Sequence, residues 1–298
     1  MFLANFLIAL REGVEAALIV GVLVAFLTKA GRRDVLPKLW LGVVVAAILP
    51  LAAGAFMTWG PYTLTFQAQE ILGGVLSLVA VGMVTWMIVW MGKSSSALVA
   101  GLKDQAGAAI ADGSSGWALV WIAIISVGRE GLETAVFVWA TVKATAQGGF
   151  VAPTLGVITG LVVAIVIGWL IYRGAVAINL RLFFQVTAFF LIFVAAGILS
   201  YGIGDLQEAS VLPGWGNWVY DLSPYFDGHI PGLHPDAWWF VLLEAIFQFN
   251  LSPTHLQLAG WAVYLCIMLV LFFWNVKKGP RKRREATAAP TAPAQQPA

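Results

Sequence analysis

The sequence predicts an all-α polytopic membrane protein with seven transmembrane helices. They are arranged as an inverted 3+3 repeat plus one C-terminal helix, N-terminus out and C-terminus in. Three observations predict it. The 298 residues are 60% hydrophobic and 11% charged, whereas a soluble domain carries about 25% charged residues. The apolar residues fall in runs of roughly 20, the length that crosses a bilayer core. One charged pentapeptide occurs twice, in the first and fourth of those runs. A disulfide-built scaffold is excluded, since Cys266 is the only cysteine.

The runs are Phe2–Thr28, Lys38–Trp59, Gln67–Met91, Trp117–Val142, Val151–Tyr172, Leu182–Gly204 and Leu256–Val276. They are too long and too rich in Leu, Val, Ile and Phe for barrel strands, which alternate every second residue. The first run holds Arg11, Glu12 and Glu15 within its apolar stretch. A cleaved leader has a basic start and an uninterrupted apolar core, so this run is expected to be a retained helix. Runs two and five carry small residues at four-residue spacing, Gly42, Ala46 and Gly54, then Gly156, Gly160, Ala164 and Gly168. Such stripes let helix backbones approach closely, and they read as packing. The expected units are 1–92, a three-helix repeat; 93–116, a cytoplasmic loop; 117–204, the second repeat; 205–255, an outer acidic loop; 256–276, the seventh helix; and 277–298, a basic disordered tail.

Orientation follows from the short loops. Lys29, Arg32, Arg33, Lys38, Lys93, Lys103, Arg173, Arg181 and the cluster Lys277, Lys278, Arg281, Lys282, Arg283 and Arg284 fall on one side, against Lys143 alone on the other. Basic loops stay cytoplasmic. The cluster after Val276 reads as an anchor facing anionic lipid, not a nucleic-acid site. The outer loop holds Asp205, Glu208, Asp221, Asp227, Asp236 and Glu244 without any Lys or Arg. Its apolar stretch Trp238–Phe249 is too short to span and is expected to lie at the interface.

Arg11-Glu12-Gly13-Val14-Glu15 recurs as Arg129-Glu130-Gly131-Leu132-Glu133, an offset of 118. The same offset pairs Gly42 with Gly160, Ala46 with Ala164 and Phe66-Gln67 with Phe184-Gln185. Three helices per unit is an odd number, so the second unit enters the membrane from the opposite side. Many transporters build a midplane site between two such halves.

Residues three or four apart share a helix face. Glu12 and Glu15 therefore face one way, as do Glu130 and Glu133, with Arg11 and Arg129 four residues before the second acid of each pair. A charge at a helix centre costs about 2.5–3.5 kcal/mol on insertion, so these residues are expected to face one another. Four carboxylates and two guanidiniums leave a negative balance that suits a cation, or shared protons. All the acidic donors are oxygens, which suit hard cations such as ferric iron, magnesium or manganese. The plainer reading is a pair of Arg–Glu bridges tying the helices together.

At this point the sequence resembles a known family. Arg-Glu-Gly-x-Glu in the first and fourth of seven helices looks like the oxidase-dependent high-affinity iron permeases, with fungal and bacterial EfeU-type members. The resemblance covers roughly residues 1–276. It implies an iron permease of the cytoplasmic membrane, with Glu12, Glu15, Glu130 and Glu133 as metal-binding residues and Arg11 and Arg129 supporting them. It also implies iron as transported substrate with no resident cofactor. The implied partners are an extracytoplasmic iron-oxidising protein, a haem peroxidase or multicopper oxidase, and an accessory lipoprotein or periplasmic protein. The family's acidic pair with glutamine at the end of helix six reads here Asp205-Leu206-Gln207-Glu208, and Gly204 stands where members often have a His.

Glu70, Asp205 and Glu208 could form an acidic way in that concentrates cations by its field. Met83, Met87 and Met91 form a stripe that could bind copper(I) but reads first as packing. His229, His234 and His255 read as loop residues. Two alternatives stand beside iron: a permease for manganese, lead or copper, and an intramembrane glutamate-dependent enzyme. The His-Glu-x-x-His pattern of intramembrane metalloproteases is absent, and no enzyme is expected.

Overall fold

A computed structural model describes residues 2–60, 64–91, 101, 104–105, 107–108, 117–143, 151–174, 179–225 and 250–288. The long α-helices among the described residues are, in order, α1 (Phe2–Lys29), α2 (Leu36–Trp59), α3 (Phe66–Met91), α4 (Trp117–Lys143), α5 (Val151–Tyr172), α6 (Leu180–Glu208) and α7 (His255–Ala288). No strand occurs among the described residues, only an isolated bridge between Trp218 and Thr254. The architecture is all-α. Five helices, α2, α3, α5, α6 and the first part of α7, are long and apolar enough to cross a membrane. The other two, α1 and α4, carry the charged pentapeptides near their middles.

Local chemistry sets several ends. Gly31, at φ +70°, closes α1 in the left-handed conformation a Cβ disfavours. Pro37 sits in the first turn of α2, where no intrahelical partner for its missing N–H is needed. Asn179 caps α6, its Oδ1 accepting from the Leu182 backbone N–H at 3.3 Å.

Two boundaries differ from the sequence reading. Helix α6 runs to Glu208, not Gly204, so Asp205 and Glu208 stand on its last turn rather than in a loop. Helix α7 continues through the basic cluster to Ala288, where a disordered tail was expected. Lys, Arg, Glu and Ala are good helix formers, and they flank Gly279-Pro280 within it. The stretch Trp238–Phe249, His229 and His234 lie outside the described residues, as do Lys93 and Lys103.

Packing pairs α1 with α5, α2 with α4 and α3 with α6; α1 also crosses α4, and α6 supports α7. The small-residue stripes make the first two pairings. A Cβ on Gly160 would lie 2.6 Å from the Phe6 carbonyl oxygen, and one on Gly42 2.8 Å from that of Val120. One apolar core joins Ile8 of α1 and Phe137 of α4 to Val84 of α3 and Leu191, Ile192 and Ile198 of α6. A second joins Ile19, Leu23 and Leu27 of α1 to Leu39 of α2 and Leu119 and Ala123 of α4. The outward faces of α2 and α5 expose Val44, Ile48, Leu51, Ile158, Val162 and Ile165. A contiguous apolar surface of this kind is foreign to a water-soluble monomer and natural against acyl chains.

The chain after α6 folds back on the start of α7. Gln207, 1% exposed, donates to the Pro213 carbonyl at 2.8 Å and accepts from the Thr254 hydroxyl at 2.7 Å. Gln257 donates to the Ser200 carbonyl at 3.1 Å and accepts from the Thr254 N–H at 2.8 Å. The Gln257 amide lies against Gly204, in the space a side chain there would need. A His at position 204 could not enter without displacing Gln257.

Candidate metal centre

The glycine of each pentapeptide sits at a close helix contact. A Cβ on Gly13 would fall 2.7 Å from that of Ala164 in α5, and one on Gly131 would fall 2.8 Å from Pro50 Cγ in α2. Both glycines let the acid-bearing helices settle against the other half of the molecule.

The crossing of α1 and α4 then brings three carboxylates together. Glu12, Glu130 and Glu133 each place an oxygen so that all three lie within 4.8 Å of one another. Glu12 and Glu130 are 1% and 2% exposed. Both oxygens of Glu12 are buried without a hydrogen bond. Its nearest cation is Arg11, whose Nη1 stands 4.0 Å from Glu12 Oε1. A buried carboxylate in that condition is unstable unless something positive completes it.

The two arginines are held differently. Arg11 is fully buried; its Nε lies 3.5 Å from Glu15 Oε1, and its Nη1 donates to Met87 Sδ at 2.7 Å. Arg129 is half exposed and grips Glu130 Oε1 with Nη2 at 2.6 Å and Nε at 3.0 Å, with Glu133 at 3.7 Å. Glu15 shares the face of Glu12 but stands with Arg11, outside the three-carboxylate group. The trio and Arg129 together leave an excess of negative charge, and oxygen donors of this kind suit a hard cation.

A second group gathers at the start of α3 and the ends of α4 and α6. Lys143 Nζ lies 3.9 Å from Glu70 Oε1. Asp205 Oδ2 occupies the space beside Gly73, 2.8 Å from where a Cβ would stand, with the Lys143 side chain next to it. Glu70, Lys143 and Glu208 are the charges that act on Asp205. The three acids proposed as a way in are thus neighbours.

From the sequence alone Lys143 is legible only as an orienting charge, not as a member of this acidic group. The signal was its position as the one base on an otherwise acidic side. Met87, whose stripe suggests packing or copper(I) binding, is buried. Its sulfur accepts from Arg11, a contact no spacing rule indicates. Met83 packs in the apolar core beside it, and His255 is exposed at the start of α7.

Residues 2–277 match the profile of the iron permease FTR1 family. The chain is 35% identical over 280 residues to the ferrous iron permease EfeU of Escherichia coli O6:H1, spanning 94% of this chain and 98% of that protein. It is 34% identical over 282 residues to the Shigella sonnei protein of the same name, spanning 94% and 99%. To that of Yersinia pestis it is 36% identical over 269 residues, spanning 90% and 92%. No solved structure matches the chain significantly.

Proposed function

The chain belongs to the iron permease FTR1 family, integral membrane transporters rather than enzymes, and from that premise we propose that it carries ferrous iron inward across the cytoplasmic membrane through Glu12, Glu130 and Glu133. The observation that carries the proposal is Glu12: two buried oxygens with no hydrogen bond, beside two further carboxylates contributed by another helix. Ferrous iron is the ion for which the similar proteins are named. Arg11 and Arg129 orient the acids and limit their repulsion. Glu15 is held in reserve by Arg11, one helical turn from Glu12, to take the ion as it leaves.

The inverted repeat fits the packing. Exchanging α1–α3 with α4–α6 turns the α1–α5 pair into α4–α2 and leaves α3–α6 and α1–α4 unchanged, and these are the pairings present. With seven spans, N-terminus out and C-terminus in, Glu70, Asp205 and Glu208 face the outside. There the partners implied by the resemblance, a haem peroxidase or multicopper oxidase and an accessory lipoprotein or periplasmic protein, would dock. Rocking of one half against the other then exposes the acids to each side in turn.

Uptake of radioactive iron into proteoliposomes tests this. Wild type should accumulate ferrous iron, while Glu12→Gln and Glu130→Gln insert normally and accumulate none. Competition by manganese, lead and copper ranks the ions. Preference for one of these over iron would replace the substrate, and normal uptake by Glu130→Gln would remove the carboxylate site.

A further inference from the structure

A helix turns once every 3.6 residues, so residues seven and eleven apart share a face. Asn5 precedes Glu12 by seven residues and Leu23 follows it by eleven. On α4, Ala123 precedes Glu130 by seven and Thr141 follows it by eleven. The faces that meet at the central acids therefore continue to Asn5 and Thr141 at one end and to Leu23 and Ala123 at the other. All four residues are fully buried.

The two ends are chemically unlike. Thr141 Oγ1 donates to Asn5 Oδ1 at 2.7 Å, joining α1 to α4, and the same hydroxyl lies 2.9 Å from the Val138 carbonyl oxygen. Leu23 and Ala123 sit in an apolar cluster with Ile19, Leu27 and Leu119. The offset of 118 that relates the repeats carries Asn5 to Ala123 and Leu23 to Thr141, so the two pairs occupy equivalent places. It also carries Glu70 to Ala188 and Asp205 to Met87. Each of these polar residues at the Asn5 end thus has an apolar counterpart at the other. A hydrogen bond that merely glued two helices would serve equally well at either end.

We propose that Asn5 and Thr141 form a neutral-oxygen station for a hard divalent cation on the outer side of the central glutamates, opposite an apolar cytoplasmic seal at Leu23 and Ala123. The inference rests on the proposed inward transport through Glu12, Glu130 and Glu133. Opening the Thr141–Asn5 hydrogen bond presents the Asn5 carbonyl, the Thr141 hydroxyl and the Val138 carbonyl to the ion, oxygens that stand in for hydration water. Uncharged oxygens hold a cation less firmly than carboxylates do. They pass the ion on rather than trap it, as a conducting path requires. The leucine end offers no such substitute, so release waits for the halves to move.

The test is Thr141→Val, which keeps shape and loses the oxygen, beside Thr141→Ser, which keeps it. Ferrous iron uptake into proteoliposomes and equilibrium ferrous iron binding in detergent are measured on both, with Glu12→Gln alongside. Thr141→Val should lose about tenfold in uptake rate, the equivalent of about 1.4 kcal/mol in a barrier, with binding unchanged. Thr141→Ser should transport like wild type. Wild-type uptake by Thr141→Val overturns the station, as does joint loss of uptake and binding in both Thr141 variants, which marks a packing role. Normal uptake by Glu12→Gln would instead refute the central site, whatever Thr141 does. In a Cys266→Ser background, Thr141→Cys should react with a membrane-impermeant cationic thiol reagent added outside, be protected by ferrous iron, and far outpace Leu23→Cys. An unreactive Thr141→Cys, or a faster Leu23→Cys, overturns the proposal.

Discussion

Glu12→Gln separates a binding site from a structural ion pair, because the two readings predict opposite signs in metal-free protein. Arg11 attracts Glu12 across 4.0 Å, while Glu130 and Glu133 repel it within 4.8 Å. At an effective dielectric of about 20 the attraction is about 4 kcal/mol and the two repulsions together about 7 kcal/mol. Repulsion therefore exceeds attraction by about 3 kcal/mol or more, less whatever Arg129 offsets through Glu130, and Glu15 adds to it. Glutamine keeps the shape and removes the charge. Metal-free Glu12→Gln should be as stable as wild type or more so, and a shared proton on the acids would only bring the two closer together. With ligand the order reverses. An ion present at 100 times its dissociation constant stabilises the folded wild type by about 2.7 kcal/mol, and Glu12→Gln should lose most of that. The assay is thermal unfolding in detergent, with and without ferrous iron under reducing conditions. A lower midpoint for metal-free Glu12→Gln, or an undiminished shift on adding iron, would refute the reasoning.

Gly160→Ala should destabilise by about 1–3 kcal/mol, since its Cβ would meet the backbone of α1 at 2.6 Å and 3.0 Å. Gly54→Ala, with nothing within 4 Å, should be neutral or stabilising by up to about 1 kcal/mol; thermal midpoints of the pair check both. Gln207→Leu removes the partner of the Pro213 carbonyl and orphans the buried Thr254 hydroxyl, at about 1–3 kcal/mol for the buried group. It should lower the unfolding midpoint while uptake per folded molecule persists. Lys143→Gln removes a loose, partly buried ion pair at 3.9 Å, of small stability value, about 0–1 kcal/mol, and makes the acidic group more negative. Its apparent KM for iron should fall and become more sensitive to salt, and an unchanged KM and salt profile would take Lys143 out of the ion's path.

Much of the architecture was legible because bilayer chemistry is severe. Long apolar runs have few uses in water, and three charges inside such a run need an explanation wherever they occur. The doubled pentapeptide therefore pointed to the acids before any coordinates did. Helix spacing also placed Glu12 and Glu15 on one face, but a shared face does not decide which acid meets the opposite helix. That depends on where Arg11 goes, and Arg11 is drawn to Glu15 and to the sulfur of Met87 on α3. No local rule connects positions 11 and 87. The same limit hid Lys143, which joins Glu70 across two helices, and Gln257, which fills the space left by Gly204. Helix ends were misjudged where charge was read as loop, at Asp205–Glu208 and along the basic end of α7, because polarity excludes lipid without excluding helix.

The repeats share a pentapeptide but not its surroundings, and the difference has a source in the third helix of each. Met87 gives Arg11 a neutral, buried acceptor. The offset of 118 puts Asp205 at the matching place on α6, and that residue stands instead beside Gly73 at the acidic end. Arg129 stays half exposed and closes on Glu130 and Glu133 of its own helix. One arginine is thus withdrawn from the carboxylate trio and the other is bound to it. A transporter built from inverted halves needs such inequality in any single state, since two halves in identical conformations would be open or closed to both sides at once. On the proposed inverted-repeat mechanism, sequence divergence in α3 and α6, rather than in the motifs themselves, would make the two directions of access unequal.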